Sequence, residues 1–206
     1  MFTKLFKFIN LILVTIVKPL MLLLRFYYLR KIFIFFTSRK NKEYCFVKKN
    51  KTFPYLKQGS DIDIYLNASS NLLEDLLNYL DDSFILKFKV FNISKNIVHV
   101  DLLFNNKLIY KLDFCINKIE NSIVKINNDL LNLTITNSEN HTFKFAFKKF
   151  KISFPNRDYD NLIRYIEYKL YPSKVHHLEF LNKATAKEYE QLKILVEENL
   201  DKSLDL

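Results

Sequence analysis

In the stretch Gln58-Gly59-Ser60-Asp61-Ile62-Asp63-Ile64-Tyr65-Leu66, residue type and spacing together point to chemistry. The alternation predicts a β-strand, and a strand sends successive side chains to opposite faces. Asp61 and Asp63 therefore project together while Ile62 and Ile64 turn to the core. Two carboxylates about 7 Å apart along a strand repel each other, and a cation held between or beside them removes that cost. Oxygen-only donors select Mg2+, or Mn2+, over zinc. Gly59, the single glycine of 206 residues, stands two positions before the first carboxylate. The backbone there must approach something closely or adopt a positive φ. Ser60 supplies a hydroxyl for a phosphate or for capping the turn.

Two further aspartates sit in apolar strand contexts, Asp101 in Val98-His99-Val100-Asp101-Leu102-Leu103 and Asp113 in Tyr110-Lys111-Leu112-Asp113-Phe114-Cys115. Asn105-Asn106 between them reads as a hairpin turn. A strict two-residue turn pairs Phe104 with Lys107 and Asp101 with Tyr110, which leaves Asp113 opposite Val98 on the other side of the sheet. Upstream, Lys48, Lys49, Lys51 and Lys57 are either a positive field for phosphate or a solvated loop.

The run Gly59-Ser60-Asp61-Ile62-Asp63-Ile64-Tyr65-Leu66 resembles the signature strand of the polymerase-β-like nucleotidyltransferase superfamily. Tyr44-Cys45-Phe46-Val47-Lys48, Phe53-Pro54, the segment 160–168 and the segment 174–179 are similar to a branch of nucleotidyltransferases from bacterial surface-polysaccharide gene sets. The resemblance implies two aspartates on one strand and a third on a later strand, holding two metals for nucleotidyl transfer with pyrophosphate leaving. On that pattern Asp61, Asp63 and Asp101 are the catalytic and metal-binding residues, with Asp113 the runner-up to Asp101. Gly59, Ser60, Lys48, Lys49 and Lys57 are the nucleotide and phosphate contacts. Asp101 is preferred because it comes first after the metal strand, in a His-Val-Asp-Leu context that resembles the third-carboxylate strand. The glycine pair that opens the triphosphate-binding helix in the superfamily has no counterpart, since that region reads Val47-Lys48-Lys49-Asn50-Lys51.

The elements that must position these residues are α+β in kind. Short β-type runs at 44–47, 61–66, 84–93, 97–104 and 108–116 surround a helix at 71–80, capped by Ser69 or Ser70. They imply a mixed or antiparallel sheet with helices on one face, which the resemblance implies to be nucleotidyltransferase-like. Residues 143–154 read as one strand whose alternation slips at Lys148-Lys149, followed by helices from about 156 to 170 and from 184 to 200. Arg164 and Glu167, three apart, are placed to pair on a helix surface; His176 and His177 are adjacent and diverge, which argues against a shared metal and favours a structural role over a phosphate or base contact. Three segments follow: a basic apolar arm (1–42), the site-bearing domain (43–154) and a helical tail (155–206).

Composition narrows the function classes. One glycine rules out a P-loop, a dinucleotide-binding turn or a kinase-type glycine-rich loop. Cys45 and Cys115 alone make neither a disulfide framework nor a zinc cage, and a reducing compartment is the simpler setting. Residues 1–51 hold twelve Lys/Arg against Glu43 alone, and residues 52–206 hold twenty against twenty-one Asp/Glu. The basic excess thus belongs to the arm, which argues against a nucleic-acid partner for the core. In the arm, Lys4, Lys7, Thr15, Lys18 and Arg25 fall in a stripe roughly 80° wide at about 100° per residue, opposite a broad apolar face. That profile fits either a helix in an anionic membrane interface or helices packed on the protein's own sheet. As an anchor, it is two helices kinked at Pro19 and separable: deletion of residues 1–37 leaves a folded remainder, facing the cytoplasm at the inner membrane.

The expected function is Mg2+- or Mn2+-dependent transfer of a nucleoside monophosphate from a nucleoside triphosphate to a small or surface-polysaccharide-related acceptor. The alternative is an inactive nucleotide- or phosphosugar-binding scaffold at the membrane, motivated by the missing glycine pair.

Overall fold

The computed structural model of the chain describes residues 2–39, 42–47, 52–67, 71–81, 87–116, 119 and 126–200, with side chains from residue 19 onward. Ser69 and Ser70, the expected helix caps, and Lys48, Lys49 and Lys51 lie outside the described residues.

The arm is a single helix, α1 (Phe2–Thr37), that runs through Pro19. The expected pair of helices does not form. Proline removes one backbone hydrogen bond, at a cost of about 3 kcal/mol, and the tertiary packing of the segment beyond it outweighs that loss. Leu24, Tyr28, Leu29, Ile32, Phe33 and Phe36 are buried at helical spacing. Tyr28 Oη donates to the carbonyl of Leu103 at 2.7 Å, and Arg25 Nη2 donates to the carbonyl of Leu56 at 2.6 Å. The half of the arm after Pro19 is therefore core, and residues 1–37 are not separable as an anchor. Among the described residues no helix is long and apolar enough to cross a membrane.

The fold is α+β. Strands β1 (Tyr44–Phe46), β2 (Asp61–Leu66), β3 (Lys87–Asn92), β4 (Ile97–Phe104) and β5 (Lys107–Ile116) form a mixed sheet in the order β1-β2-β5-β4-β3. Only the β2–β5 pair is parallel. Helix α2 (Leu72–Asp81) follows β2 and buries Leu72, Leu76 and Leu80. On one face of the sheet Ile62, Ile64, Val100, Leu112 and Phe114 join α1 and α2 in the main core.

Residues 138–155 close that core as a hairpin of β6 (Ser138–Phe145) and β7 (Lys148–Pro155), not as the one strand expected over 143–154. The slip in alternation is a two-residue turn: Ala146 and Phe147 have φ of 45° and 65°, the conformation whose twist matches a hairpin. Phe145, Phe150, Ile152 and Phe154 from this hairpin enter the main core.

Helices cover both faces of the sheet, not one. The second face, which carries the aspartates, is partly roofed by α3 (Leu130–Thr136), whose Leu131 and Ile135 pack with Cys45, Tyr65 and Cys115. This helix has no counterpart among the expected elements, and neither does α5 (Val175–Leu181). Each is seven residues long, too short for periodicity to announce it. Helices α4 (Arg157–Leu170) and α6 (Ala186–Asn199) form a second core with α3 through Leu130, Leu162, Tyr165, Ile166, Leu192 and Val196. Their starts are encoded locally. Asn156 accepts a hydrogen bond from the Tyr159 amide at 3.1 Å, and Thr185 and Glu188 form a reciprocal capping box.

Candidate functional site

Strand β2 takes the expected register: Asp61 and Asp63 stand on one face while Ile62 and Ile64 are buried on the other. Gly59 sets the start of that strand. Its φ is +75°, and an added Cβ would meet nothing within 4 Å, so the glycine is there for backbone conformation rather than for space. The Gly59 amide donates to the carbonyl of Ile109 at 2.8 Å and the Lys111 amide donates to the carbonyl of Ser60 at 3.3 Å, so the loop is laced to the beginning of β5.

The hairpin between β4 and β5 turns at Asn105-Asn106, with φ of 47° and 60°. Phe104 pairs with Lys107 as expected, but a bulge then inserts Ile109: Leu103 faces Leu108 and Leu102 faces Tyr110. Every later pair moves by one residue, so Asp101 lies beside Lys111 and His99 beside Asp113. Asp113 is thereby on the carboxylate face, not on the far side. The expected partners, Tyr110 for Asp101 and Val98 for Asp113, are both displaced by this one extra residue.

The parallel pairing of β2 with β5 completes the geometry. Asp63 is the direct neighbour of Asp113, and Asp61 of Lys111. Two rows cross the face: Asp61, Lys111, Asp101 and Lys89, then Asp63, Asp113, His99 and Phe91. Neighbouring strands are about 4.8 Å apart, so Asp113 is one spacing from Asp63 and Asp101 is two spacings from Asp61. Of the two candidates, Asp113 is the carboxylate the fold brings to Asp63; Asp101 faces Lys111 and Lys89 instead.

Burial raises the Asp113 carboxyl above its ordinary range; His99 and Lys111 oppose the rise, and Asp63 and Asp61 add to it. Asp113 Oδ1 is buried without a hydrogen bond, although Lys111 Nζ at 3.4 Å and His99 Nε2 at 3.6 Å face it as charge partners. Among the described residues no three His, Cys, Asp or Glu side chains are clustered as a ready cation site. The donors nonetheless suit a hard divalent ion: two carboxylates on one strand face, with the hydrogen-bond-free oxygen of a third on the neighbouring strand. Asp61 and Asp63 would hold such an ion, with Asp113 beside them.

A cleft of about 250 Å3 opens here, and Ser60, Asp61 and Asp63 line it together with Arg164 of α4 and His176 of α5. Lys57 is exposed and does not line the cleft. The expected Arg164–Glu167 pair does not form. Arg164 Nε donates to Asp160 Oδ1 at 2.9 Å and the guanidinium lies 3.9 Å from the centre of the Phe180 ring, which holds a buried cation in place. Glu167 instead meets the buried His177, Oε2 to Nε2 at 2.8 Å. His177 is structural, as expected, whereas exposed His176 reaches the cleft.

His99, Lys111 and Arg164 are not among the expected site residues, and for His176 the sequence favours a structural role over the phosphate contact that its place in the cleft allows. A signal existed for two of them: His99-Val100-Asp101 and Lys111-Leu112-Asp113 repeat the polar-apolar-polar triplet of Asp61-Ile62-Asp63. No family model and no curated protein matches this chain. Among solved structures, it is similar to the crystal structure of JHP933 from Helicobacter pylori, at 11% identity and a TM-score of 0.41, covering 85% of this chain and 74% of that one.

Proposed function

We propose that the chain is a nucleotidyltransferase-like protein that moves a nucleoside monophosphate from a nucleoside triphosphate to a small or surface-polysaccharide-related acceptor, with Mg2+ or Mn2+ as cofactor, in the cytoplasm where such donors are made. One observation carries the reading: Asp61 and Asp63 share a strand face at the cleft, and Asp113 stands beside Asp63 on the parallel neighbour. A divalent ion held by Asp61 and Asp63 would offset phosphate charge and polarise the reacting phosphorus. Asp113, with its raised carboxyl, suits the removal of a proton from an acceptor hydroxyl. Arg164, already desolvated at the cleft, supplies a fixed cation for a phosphate group, and Ser60 supplies a donor.

Calorimetry of Mg2+ or Mn2+ with each of the four nucleoside triphosphates, paired with a pyrophosphate-release screen over sugar phosphates, tests this. The expected result is binding and release in the wild type and neither in Asp61→Ala/Asp63→Ala. Equal behaviour of the two proteins sinks the site. A second reading, a nucleotide- or phosphosugar-binding scaffold without turnover, is favoured by Lys111 and His99 both facing Asp113. Its mark is nucleotide binding that depends on Asp63, with no pyrophosphate released for any acceptor.

A further inference from the structure

Away from the cleft, the tip of the β6–β7 hairpin carries a side chain that nothing in the fold explains. Phe147 is wholly exposed, at 109% of its reference area. It sits in a turn whose two residues have positive φ, a conformation strained for a residue with a Cβ and filled most cheaply by Asn and Gly. The other tight hairpin of this chain uses Asn105-Asn106 for the same geometry. At the second turn the chain accepts that strain and places an aromatic ring in water.

The surroundings indicate what the ring is for. An apolar groove of about 520 Å3 runs beside it, lined by Leu23, Phe26, Tyr55, Lys144, Phe145 and Phe147. Leu23 and Tyr55 are 65% and 56% exposed, and Leu20 and Leu22 on the same helix are each 46% exposed. Toward the amino end, the α1 sequence continues apolar in the phase of Leu20 and Leu23, at Ile16, Leu13 and Ile9. Charge around this surface has one sign. Residues 141–156 contain Lys144, Lys148, Lys149 and Lys151, all four exposed, and no Asp or Glu. Helix α1 contains six Lys/Arg and no Asp or Glu. Exposed aliphatic side chains beside an aromatic tip ringed by lysines match the interface of a bilayer, where rings and leucines enter the headgroup boundary and lysines meet anionic lipid. Leucines offer nothing to nucleic-acid bases, for which stacking faces are needed.

We propose that the β6–β7 hairpin tip and the exposed side of α1 at Leu20–Leu23 form one docking surface for an anionic lipid bilayer, with Phe147 as an inserted side chain. The surface is separate from the cleft, so its test does not depend on the function proposed above.

The chain has no tryptophan, so Phe147→Trp in the full-length protein is a single fluorescent reporter at a fully exposed position. The probes are vesicles of phosphatidylcholine alone and of phosphatidylcholine mixed with phosphatidylglycerol. The expected result is a blue shift of the emission with the anionic vesicles only, reversed by salt. Lys148→Gln/Lys149→Gln in the same background should weaken vesicle partitioning roughly 30-fold, from about 1 kcal/mol per lysine near an anionic surface. Circular dichroism and a melting curve confirm that the variants fold. The proposal is overturned if the protein fails to float with anionic vesicles, or if it floats while the emission stays in place, which would assign binding to the amino-terminal half of α1 alone. It is equally overturned if single-stranded RNA shifts the emission and vesicles do not, or if the shift follows protein concentration without lipid, the mark of self-association.

Discussion

Phe33→Ala tests whether the carboxyl half of α1 is core. Phe33 has no exposed area, and its ring lies 5.5 Å from Phe53, 5.1 Å from Phe143, 5.4 Å from Phe145 and 5.7 Å from Phe150, centre to centre. Truncating a buried phenylalanine costs about 3–5 kcal/mol, and losing several ring pairs places this site at the upper end, about 4–5 kcal/mol. Against a typical total of about 5–15 kcal/mol, that is roughly a quarter or more of the stability of an ordinary domain. At roughly 2–4 °C per kcal/mol for a chain of this size, the melting temperature should fall by about 8–20 °C. Leu23→Ala, ten residues earlier in the same helix and 65% exposed, is the control and should change stability by no more than about 0.5 kcal/mol. Urea unfolding in lipid-free buffer, followed by far-ultraviolet circular dichroism, measures both. If Phe33→Ala loses no more than Leu23→Ala, the helix is not part of the core and the packing described here is refuted.

Gly59→Ala should cost about 1–2 kcal/mol from the backbone conformation alone, and Gly59→Asn less, because asparagine tolerates positive φ; equal losses measured by urea titration would instead indicate steric crowding. For Asp113 the sign follows from burial. The folded state holds that proton more tightly than the unfolded chain, so its contribution to stability falls as pH rises from the ordinary carboxylate range through the raised folded value. The stability of Asp113→Asn minus that of the wild type should therefore grow across that window, and a difference that is flat with pH contradicts the buried placement. Thr185→Ala removes the acceptor of the Glu188 amide at the start of α6 and should cost about 1 kcal/mol, seen as a lower urea midpoint with unchanged slope.

What the sequence reveals here divides along the range of the interactions involved. Strand β2 is fully legible, bounds included, because six residues alternate without interruption behind a lone glycine. The caps at Asn156 and Thr185 are each encoded within four positions, yet the expected last helix opens at 184, one residue before its cap. Which aspartate stands beside Asp63 is not legible, because two non-local facts decide it: the parallel pairing of β2 with β5, some fifty residues apart, and the bulge at Ile109 that resets the phase of β5. Local alternation reads the same with or without the bulge. Arg164 and His176 join the cleft through the docking of the carboxyl-terminal helices, which helical periodicity does not report. The arm is ambiguous for another reason: an apolar helix face looks alike whether its solvent is lipid or a sheet, and only the contacts of Tyr28 and Phe33 separate the two.

The sheet order also fixes which contacts the site needs before it exists. Hairpins β3–β4 and β4–β5 join strands that are adjacent in sequence and close over short loops. The β2–β5 pair instead bridges a segment that contains α2 and both of those strands, and closing that longer loop is entropically more costly. Strand β5 must dock between β2 and β4 before Asp63 meets Asp113, so the carboxylate pair depends on a long-range contact rather than on a local hairpin. A nascent chain that has emerged only as far as residue 106 already carries the whole Gly-Ser-Asp-Ile-Asp signature and still lacks the strand that turns it into a site.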